Sequence, residues 1–135
     1  MTPPRPPDLG GVLETVLYFR DQASTRDFYS RVMGMRLLSE EPGRSLFLRA
    51  GPSVFLMFDA AETRKGGFLP PHGTDGAGHT CFVVDPDDYQ PWKDHLSSSG
   101  VEVIKEVQWP RGRSFYFSDP SGNLLEIADA DIWPR

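Results

Sequence analysis

Two acidic residues and one histidine lie where the sequence predicts covered β-strands. Glu14, His79 and Glu126 each stand within or beside a run of apolar residues typical of a strand. Burying an ionised carboxylate without a partner costs several kcal/mol. We therefore expect these side chains to require a cation or one another.

A divalent metal ion would satisfy all three side chains at once. Two carboxylates and an imidazole suit Mn, Fe(II), Ni, Zn or Mg better than a thiolate-preferring metal, and residue type alone selects no single ion. Three protein ligands leave coordination positions open for water or substrate, as a catalytic site requires. Glu14 or Glu126 could also serve as the catalytic base.

Each of these residues also has an ordinary structural interpretation. A glutamate in a strand usually points to solvent, and a single histidine is more often packed or exposed than a ligand. Their placement in an internal repeat favours the metal site, because Glu14 lies 20 residues before Gly34 and His79 lies 21 residues before Gly100. The residue matching Glu126 in the first half is Leu56.

The elements that must position these residues occur in the same order twice. In the first half we predict a strand at 12–19, a helix that starts at Asp21 or Ser24 and stops at Gly34, and three further strands. In the second half we predict a strand at 79–84, a helix that stops at Gly100, and three more strands. The six later strands are predicted at 35–40, 45–50, 53–58, 101–107, 113–118 and 123–128.

This order predicts an α+β fold of two βαβββ modules, whose curved mixed sheets enclose a cleft. Module one spans 12–59 and module two spans 78–130, within a single domain. We expect a flexible lead at 1–11, a Gly- and Pro-rich connector at 60–77 and a short tail at 131–135. His72 in the connector and His95 on the second helix are predicted to be solvated.

The composition disfavours some partners and compartments. A net charge of -5 and the absence of a basic stripe argue against nucleic acid. No apolar run is long enough to cross a bilayer, and the proline-rich N-terminus does not resemble a signal peptide. The single cysteine, Cys81, excludes an internal disulfide and fits a reducing compartment, so we expect a cytoplasmic protein.

Three motifs give the chain a resemblance to a known superfamily. The run 115–127, FYFSDPSGNLLEI, resembles the F-x-D-P-x-G-N-x-x-E-L ending of the vicinal-oxygen-chelate superfamily. Residues 27–35 resemble its first helix, and residues 78–84 resemble its fifth strand. This superfamily includes glyoxalase I, fosfomycin-resistance thiol transferases, extradiol dioxygenases and bleomycin-binding proteins.

The resemblance implies a divalent metal held by Glu14, His79 and Glu126, from the first, fifth and eighth strands. Relatives commonly have histidine at the first position, so Glu14 departs from the usual ligand set and disfavours a dioxygenase. Leu56 stands where glyoxalase I has a fourth ligand, which disfavours true glyoxalase I activity. The resemblance also implies a homodimer, in which Glu14 could come from one chain and the other two ligands from its partner.

Further residues are candidates for contact with a small-molecule substrate. Tyr116 and Ser114 are implied by likeness to the thiol transferases, and Cys81 shares the strand face of His79. Trp109 could cover an apolar ligand, and the arginines Arg113, Arg111 and Arg49 could hold an anionic one.

Two functions remain open from the sequence. One is a metal-dependent enzyme of lyase, isomerase, thiol transferase or dioxygenase type, acting on a small oxygenated substrate. The other is a metal-free dimeric binding protein that sequesters a drug or metabolite, as the bleomycin-resistance proteins do.

Overall fold

The computed structural model describes residues 5–134, which form two modules of four strands each. The strands are β1 (Glu14–Tyr18), β2 (Arg36–Glu41), β3 (Ser45–Ala50), β4 (Ser53–Phe58), β5 (His79–Val83), β6 (Lys105–Trp109), β7 (Gly112–Ser118) and β8 (Leu124–Ala128). The helices are α1 (Gln22–Asp27), continued by a π-helical turn (Phe28–Val32), α2 (Ala60–Thr63) and α3 (Tyr89–Ser98), with a 3₁₀ turn (Pro86–Asp88) before α3. Residues 1–4 of the predicted lead and residue 135 of the predicted tail lie outside the described part.

The two sheets have the same topology. Their strand orders are β1-β4-β3-β2 and β5-β8-β7-β6. In each sheet the first strand pairs parallel with the last, and the remaining pairs are antiparallel. The predicted α+β fold with two βαβββ modules is therefore confirmed. Strands β1 and β5 each lie at one edge of their sheet, with β2 and β6 at the opposite edges.

The helix of module one begins at Asp21 rather than at Ser24. The backbone N–H of Ser24 donates to Asp21 Oδ2 at 2.9 Å, which satisfies one of the free donors of the first turn. The helix ends at Gly34, whose φ of 71° lies in the left-handed region that glycine adopts without strain. Gly100, with φ of 81°, ends α3 in the same way.

Two departures from the predicted elements involve more than two residues. Strand β6 begins at Lys105, not at 101, because the Val101 N–H donates back to the Leu96 carbonyl and completes the end of α3. The predicted connector contains the short helix α2, which Asp59 caps by accepting from the Ala61 N–H at 2.9 Å.

The two histidines predicted to be solvated are both exposed, and each also has a hydrogen-bond partner within the fold. His95 Nε2 lies 2.7 Å from the Val32 carbonyl, so α3 is held against the end of the first helix. His72 Nδ1 lies 2.6 Å from the Tyr18 hydroxyl, and its ring contacts Phe58. The connector therefore returns to the first sheet.

A buried polar cluster joins the modules near the start of β8. The Tyr29 hydroxyl donates to Asp119 Oδ2 at 2.7 Å, and Asn123 Nδ2 donates to the Tyr18 carbonyl at 2.9 Å. Asn123 Oδ1 in turn accepts from the Gly78 N–H at 2.9 Å. These bonds tie the end of β1 and the first helix to the strands that carry His79 and Glu126.

The helices cover one face of both sheets. Residues of each module contribute to one apolar core, which includes Leu17, Tyr29, Leu46, Leu48, Phe55, Met57, Tyr89, Leu96, Phe115, Phe117, Leu125 and Ile127. None of the helices in residues 5–134 has the length and apolar character that a bilayer span requires.

Candidate metal and substrate site

The candidate site lies on the face of the second sheet opposite α3. Glu126 of β8 is in register with Cys81 of β5 on one side and with Tyr116 of β7 on the other. His79 precedes Cys81 by two residues and therefore points to the same face. The structure thus brings four of the predicted residues together.

The ring of His79 is oriented by the backbone of β8. Its Nδ1 atom lies 2.9 Å from the carbonyl oxygen of Leu124. A carbonyl oxygen only accepts hydrogen bonds, so Nδ1 carries the proton and Nε2 is left facing the site. This is the way metal-binding histidines are commonly held, with the second ring nitrogen bonded to a carbonyl or carboxylate.

Glu126 is buried, and its carboxylate is incompletely satisfied. Glu126 Oε1 lies 3.3 Å from His79 Nε2. Oε2 is buried and has no hydrogen-bond partner among the described residues. A neutral imidazole would place its Nε2 lone pair against Oε1, so the contact requires a proton or another cation between the two atoms. The donor set of a carboxylate and an imidazole fits a divalent metal.

Cys81 and Tyr116 flank Glu126 in their neutral forms. Burial, followed by the negative charge of Glu126, raises the pKa of the Cys81 thiol to about 12. The same two causes raise the pKa of Tyr116. The Tyr116 ring also stacks on His79 at a centroid separation of 6.1 Å. Both groups are therefore protonated near neutral pH and available as donors.

Ser114 and Trp109 lie one step further along the same face. The indole N–H of Trp109 donates to Ser114 Oγ at 2.8 Å. Ser114 is fully buried and precedes Tyr116 by two residues on β7. Both residues border the site. Their role as substrate contacts stays a prediction, and their position is compatible with it.

Arg113 is not brought to this site. Its neighbours Ser114 and Phe115 alternate along β7, and Arg113 lies on the helix-facing side with Phe115. Its Nε donates to Asp129 Oδ2 at 2.9 Å, and its guanidinium lies 4.1 Å from the centre of the Tyr89 ring. These contacts give Arg113 a structural role in place of the predicted contact with substrate.

Glu14 does not join His79 and Glu126 within one chain. It is exposed at the start of β1, beside Val54. Across residues 5–134, no three His, Cys, Asp or Glu side chains form a group that could hold a metal ion.

Sequence reasoning missed the carbonyl of Leu124 as the partner of His79. A backbone group leaves no signal in residue type, and only the parallel register of His79 with Leu124 reveals it.

Comparison with known proteins identifies relatives of this architecture. The Glyoxalase/Bleomycin resistance protein/Dioxygenase superfamily model matches residues 11–127. The glutathione transferase FosA of Serratia marcescens is 35% identical over 74 residues, which are 55% of this chain and 48% of that protein. The chain thus matches about half the length of FosA. A lactoylglutathione lyase of Pseudomonas aeruginosa is 28% identical, with 87% of this chain and 81% of that enzyme covered.

Solved structures show the same fold. The lactoylglutathione lyase of Agrobacterium tumefaciens superposes with a TM-score of 0.88 at 30% identity, covering 93% of this chain and 98% of that one. The fosfomycin resistance protein FosX of Listeria monocytogenes has a TM-score of 0.70 at 16% identity, with 92% and 94% of the two chains covered. The second likeness concerns the fold alone. With the family match over residues 11–127, these findings place the chain in the glyoxalase/bleomycin resistance/dioxygenase superfamily.

Proposed function

We propose that this protein is a metal-dependent enzyme acting on a small oxygenated substrate. The observation that carries the proposal is the contact between His79 Nε2 and Glu126 Oε1, in a site where Glu126 Oε2 lacks a partner. A divalent cation held by both residues would satisfy both carboxylate oxygens and the imidazole lone pair. Mn, Fe, Ni, Zn and Mg all remain compatible with this donor set.

Glu14 of a second copy is proposed as the third ligand. Its exposure at the start of β1 leaves it free to reach a neighbouring subunit, whereas residues 5–134 of its own chain bring no third metal-binding side chain to His79 and Glu126. A two-fold homodimer would then complete two identical sites, because each copy gives Glu14 to the other.

The residues of this chain also suggest how the reaction is assisted. A bound divalent ion would polarise adjacent oxygens of the substrate and favour an anionic form of it. Tyr116 and Cys81, both protonated, lie where they can donate hydrogen bonds to substrate oxygens. Glu14 or Glu126 is proposed as the base that accepts a substrate proton.

The curated relatives favour some reaction types over others. Both are named for glutathione chemistry, one as a glutathione transferase and one as a lactoylglutathione lyase. We therefore rank thiol transfer and lyase chemistry ahead of isomerisation and ring-cleaving oxygenation. Glu14 in place of histidine supports the same order.

Metal binding by purified protein tests this proposal. Mn(II) is a suitable first probe because electron paramagnetic resonance detects it directly, and competition with Fe(II), Ni(II), Zn(II) and Mg(II) extends the test to the other ions. We expect one ion per chain, and we expect Glu126→Gln to weaken binding by about a hundredfold, since it removes a ligand rather than a supporting contact. Glu102→Gln, at an exposed glutamate on another surface, serves as the matched control.

The alternative is a metal-free binding protein of the bleomycin-resistance type. It is supported by the same contact, because a protonated His79 would form an ion pair with Glu126 without a metal. Protein that binds none of the five ions, yet still binds an aromatic drug, would exclude the enzyme and support this alternative.

A further inference from the structure

One row of residues crosses the first sheet on the face turned away from the helices. Val54 of β4 is in register with Glu14 of β1 on one side and with Arg49 of β3 on the other. Arg49 is in turn in register with Arg36 of β2. Leu48, the neighbour of Arg49 along β3, is fully buried in the core, so strand alternation turns Arg49 and the rest of its row to the open face.

The two arginines of this row lie directly opposite each other on neighbouring strands. Like charges in this arrangement are destabilising. None of the ion pairs within residues 5–134 includes Arg36 or Arg49. An anion between the two guanidinium groups would remove the repulsion, and the planar fork of arginine donates two hydrogen bonds to oxyanions.

The carboxylates on the same face do not neutralise these arginines. Glu41, at the other end of β2 from Arg36, lies 3.7 Å from the guanidinium of Arg44. Glu14 is two strands away from Arg49, which corresponds to about 10 Å between their backbones at the usual strand spacing. Among the described residues the arginine pair therefore lacks a counter-ion, and an anion from solution can occupy it.

The row also connects the arginine pair with the candidate metal site. In the proposed homodimer, Glu14 reaches the metal of the partner subunit. The rest of its row would then face the same site, with Arg49 and Arg36 beyond Val54. A small molecule bound to the metal at one end would meet the two arginines at its other end.

We propose that the substrate of this enzyme is a small acid with a phosphate-type oxyanion bound by Arg49 and Arg36. Its adjacent oxygens chelate the metal at the opposite end. Two guanidinium groups match the two negative charges of such a group. This assignment rests on the proposed function, because the metal and the dimer bring the two ends together, whereas the arginine pair lies within one chain.

Inorganic phosphate, added to protein in the presence of a chelator, tests the arginine pair alone. We expect a Kd on the order of 1 mM, with the shifted amide signals in NMR spectra clustered at residues 36, 49 and 54. Arg49→Gln and Arg36→Gln should each weaken binding about tenfold. Arg20→Gln makes the same change of charge at an exposed residue beyond the other end of β1 and should leave binding unchanged.

A matched pair of acids tests whether the arginines face the metal. Glycerate and 3-phosphoglycerate share the adjacent oxygens that chelate a metal, and only the second carries a phosphate. With Mn(II)-loaded protein, electron paramagnetic resonance should show at least about tenfold tighter binding of 3-phosphoglycerate. Arg49→Gln should reduce this advantage to less than about threefold and leave the affinity for glycerate unchanged.

The outcomes separate this assignment from the proposed function. The anion site is excluded if phosphate leaves the three amides unshifted, or if both arginine variants bind it as tightly as the parent. Phosphate binding without any preference for 3-phosphoglycerate over glycerate overturns the substrate assignment alone. Protein that binds phosphate but no metal ion overturns the proposed enzyme, and the substrate assignment with it.

Discussion

Two buried carboxylates of this chain differ in how completely they are satisfied. Asp119 accepts from Tyr29 and Asn123 side chains and from the backbone N–H groups of Ser121 and Asn123, at 2.7 to 2.9 Å. Glu126 keeps one oxygen without a donor. A fully satisfied carboxylate stabilises the fold, whereas a buried carboxylate with an unpaired oxygen still requires a donor or a cation.

Replacing Tyr29 by Phe tests the structural role of the Asp119 cluster. The variant loses one hydrogen bond to a charged group, so we expect the free energy of unfolding near pH 7 to fall by about 1.5–3 kcal/mol. Asn123 still donates to the same oxygen of Asp119, which favours the lower end of this range. Urea unfolding followed by circular dichroism gives the measurement.

The difference in stability between the parent and Tyr29→Phe should depend on pH in the alkaline range. Burial, followed by the charge of Asp119, holds the pKa of Tyr29 well above its usual range. Above a pH of about 10 the unfolded tyrosine ionises while the folded one keeps its proton, so this contribution to stability is complete below that pH and is lost above it. The stability gap between the parent and Tyr29→Phe should therefore narrow between about pH 9 and 11. A constant gap would contradict this assignment.

At the scale of secondary-structure elements, β1 approaches the start of β5 so closely that a side chain larger than that of Gly78 has no room. A Cβ atom added at Gly78 would lie 2.4 Å from Leu17 Cδ2, and Leu17 is buried in the core. We expect Gly78→Ala to destabilise the fold by about 1–3 kcal/mol through overpacking.

Two further variants check the cause of this loss in urea unfolding. Gly10→Ala adds a methyl group in open space and should change stability by less than about 0.5 kcal/mol. Shortening Leu17 to Val in the Gly78→Ala background should recover part of the loss. If the two substitutions simply add, the contact between the strands is not the cause.

Strand prediction was accurate where glycine turns bound the strand. Strands β3 and β4 were predicted at their observed bounds, because Pro42-Gly43 marks the turn before β3 and Gly51-Pro52 marks the turn between β3 and β4. The predicted start of β6 was wrong. Val101 has the β-branched side chain that is typical of strands, but its backbone N–H donates to the Leu96 carbonyl at the end of α3. That choice depends on tertiary contacts, which a single segment does not encode.

For the whole molecule, the repeat predicted that Glu14, His79 and Glu126 meet at one site. The parallel register of β5 and β8 brings His79 Nε2 to 3.3 Å from Glu126 Oε1, whereas Glu14 does not join them within residues 5–134. In the proposed dimer Glu14 would act in the site of a second copy, and no pattern within one chain reports how two copies meet. The pairing of Arg113 with Asp129 was not predicted, because it joins β7 to a residue that follows the end of the neighbouring strand β8.

Mixing two variants that each lack one proposed metal ligand tests whether the site spans two chains. Glu14→Gln and Glu126→Gln each remove a proposed ligand, so neither homodimer should bind Mn(II) tightly. Random exchange of subunits would make about half of the dimers mixed, each with one intact site, and would restore about one quarter of the sites. Electron paramagnetic resonance counts the bound ions, and a mixture that binds no more than its two components would exclude shared sites.

The Asp119 cluster bears on whether the two halves of the chain can fold independently. Tyr18 and Tyr29 come from the first half, whereas Asp119 and Asn123 come from the second. Expressed alone, either half would bury polar groups whose hydrogen-bond partners are missing, so we expect neither half to fold by itself. A backbone cleavage between the halves should instead yield two pieces that remain associated and reassemble from denaturant only when both are present.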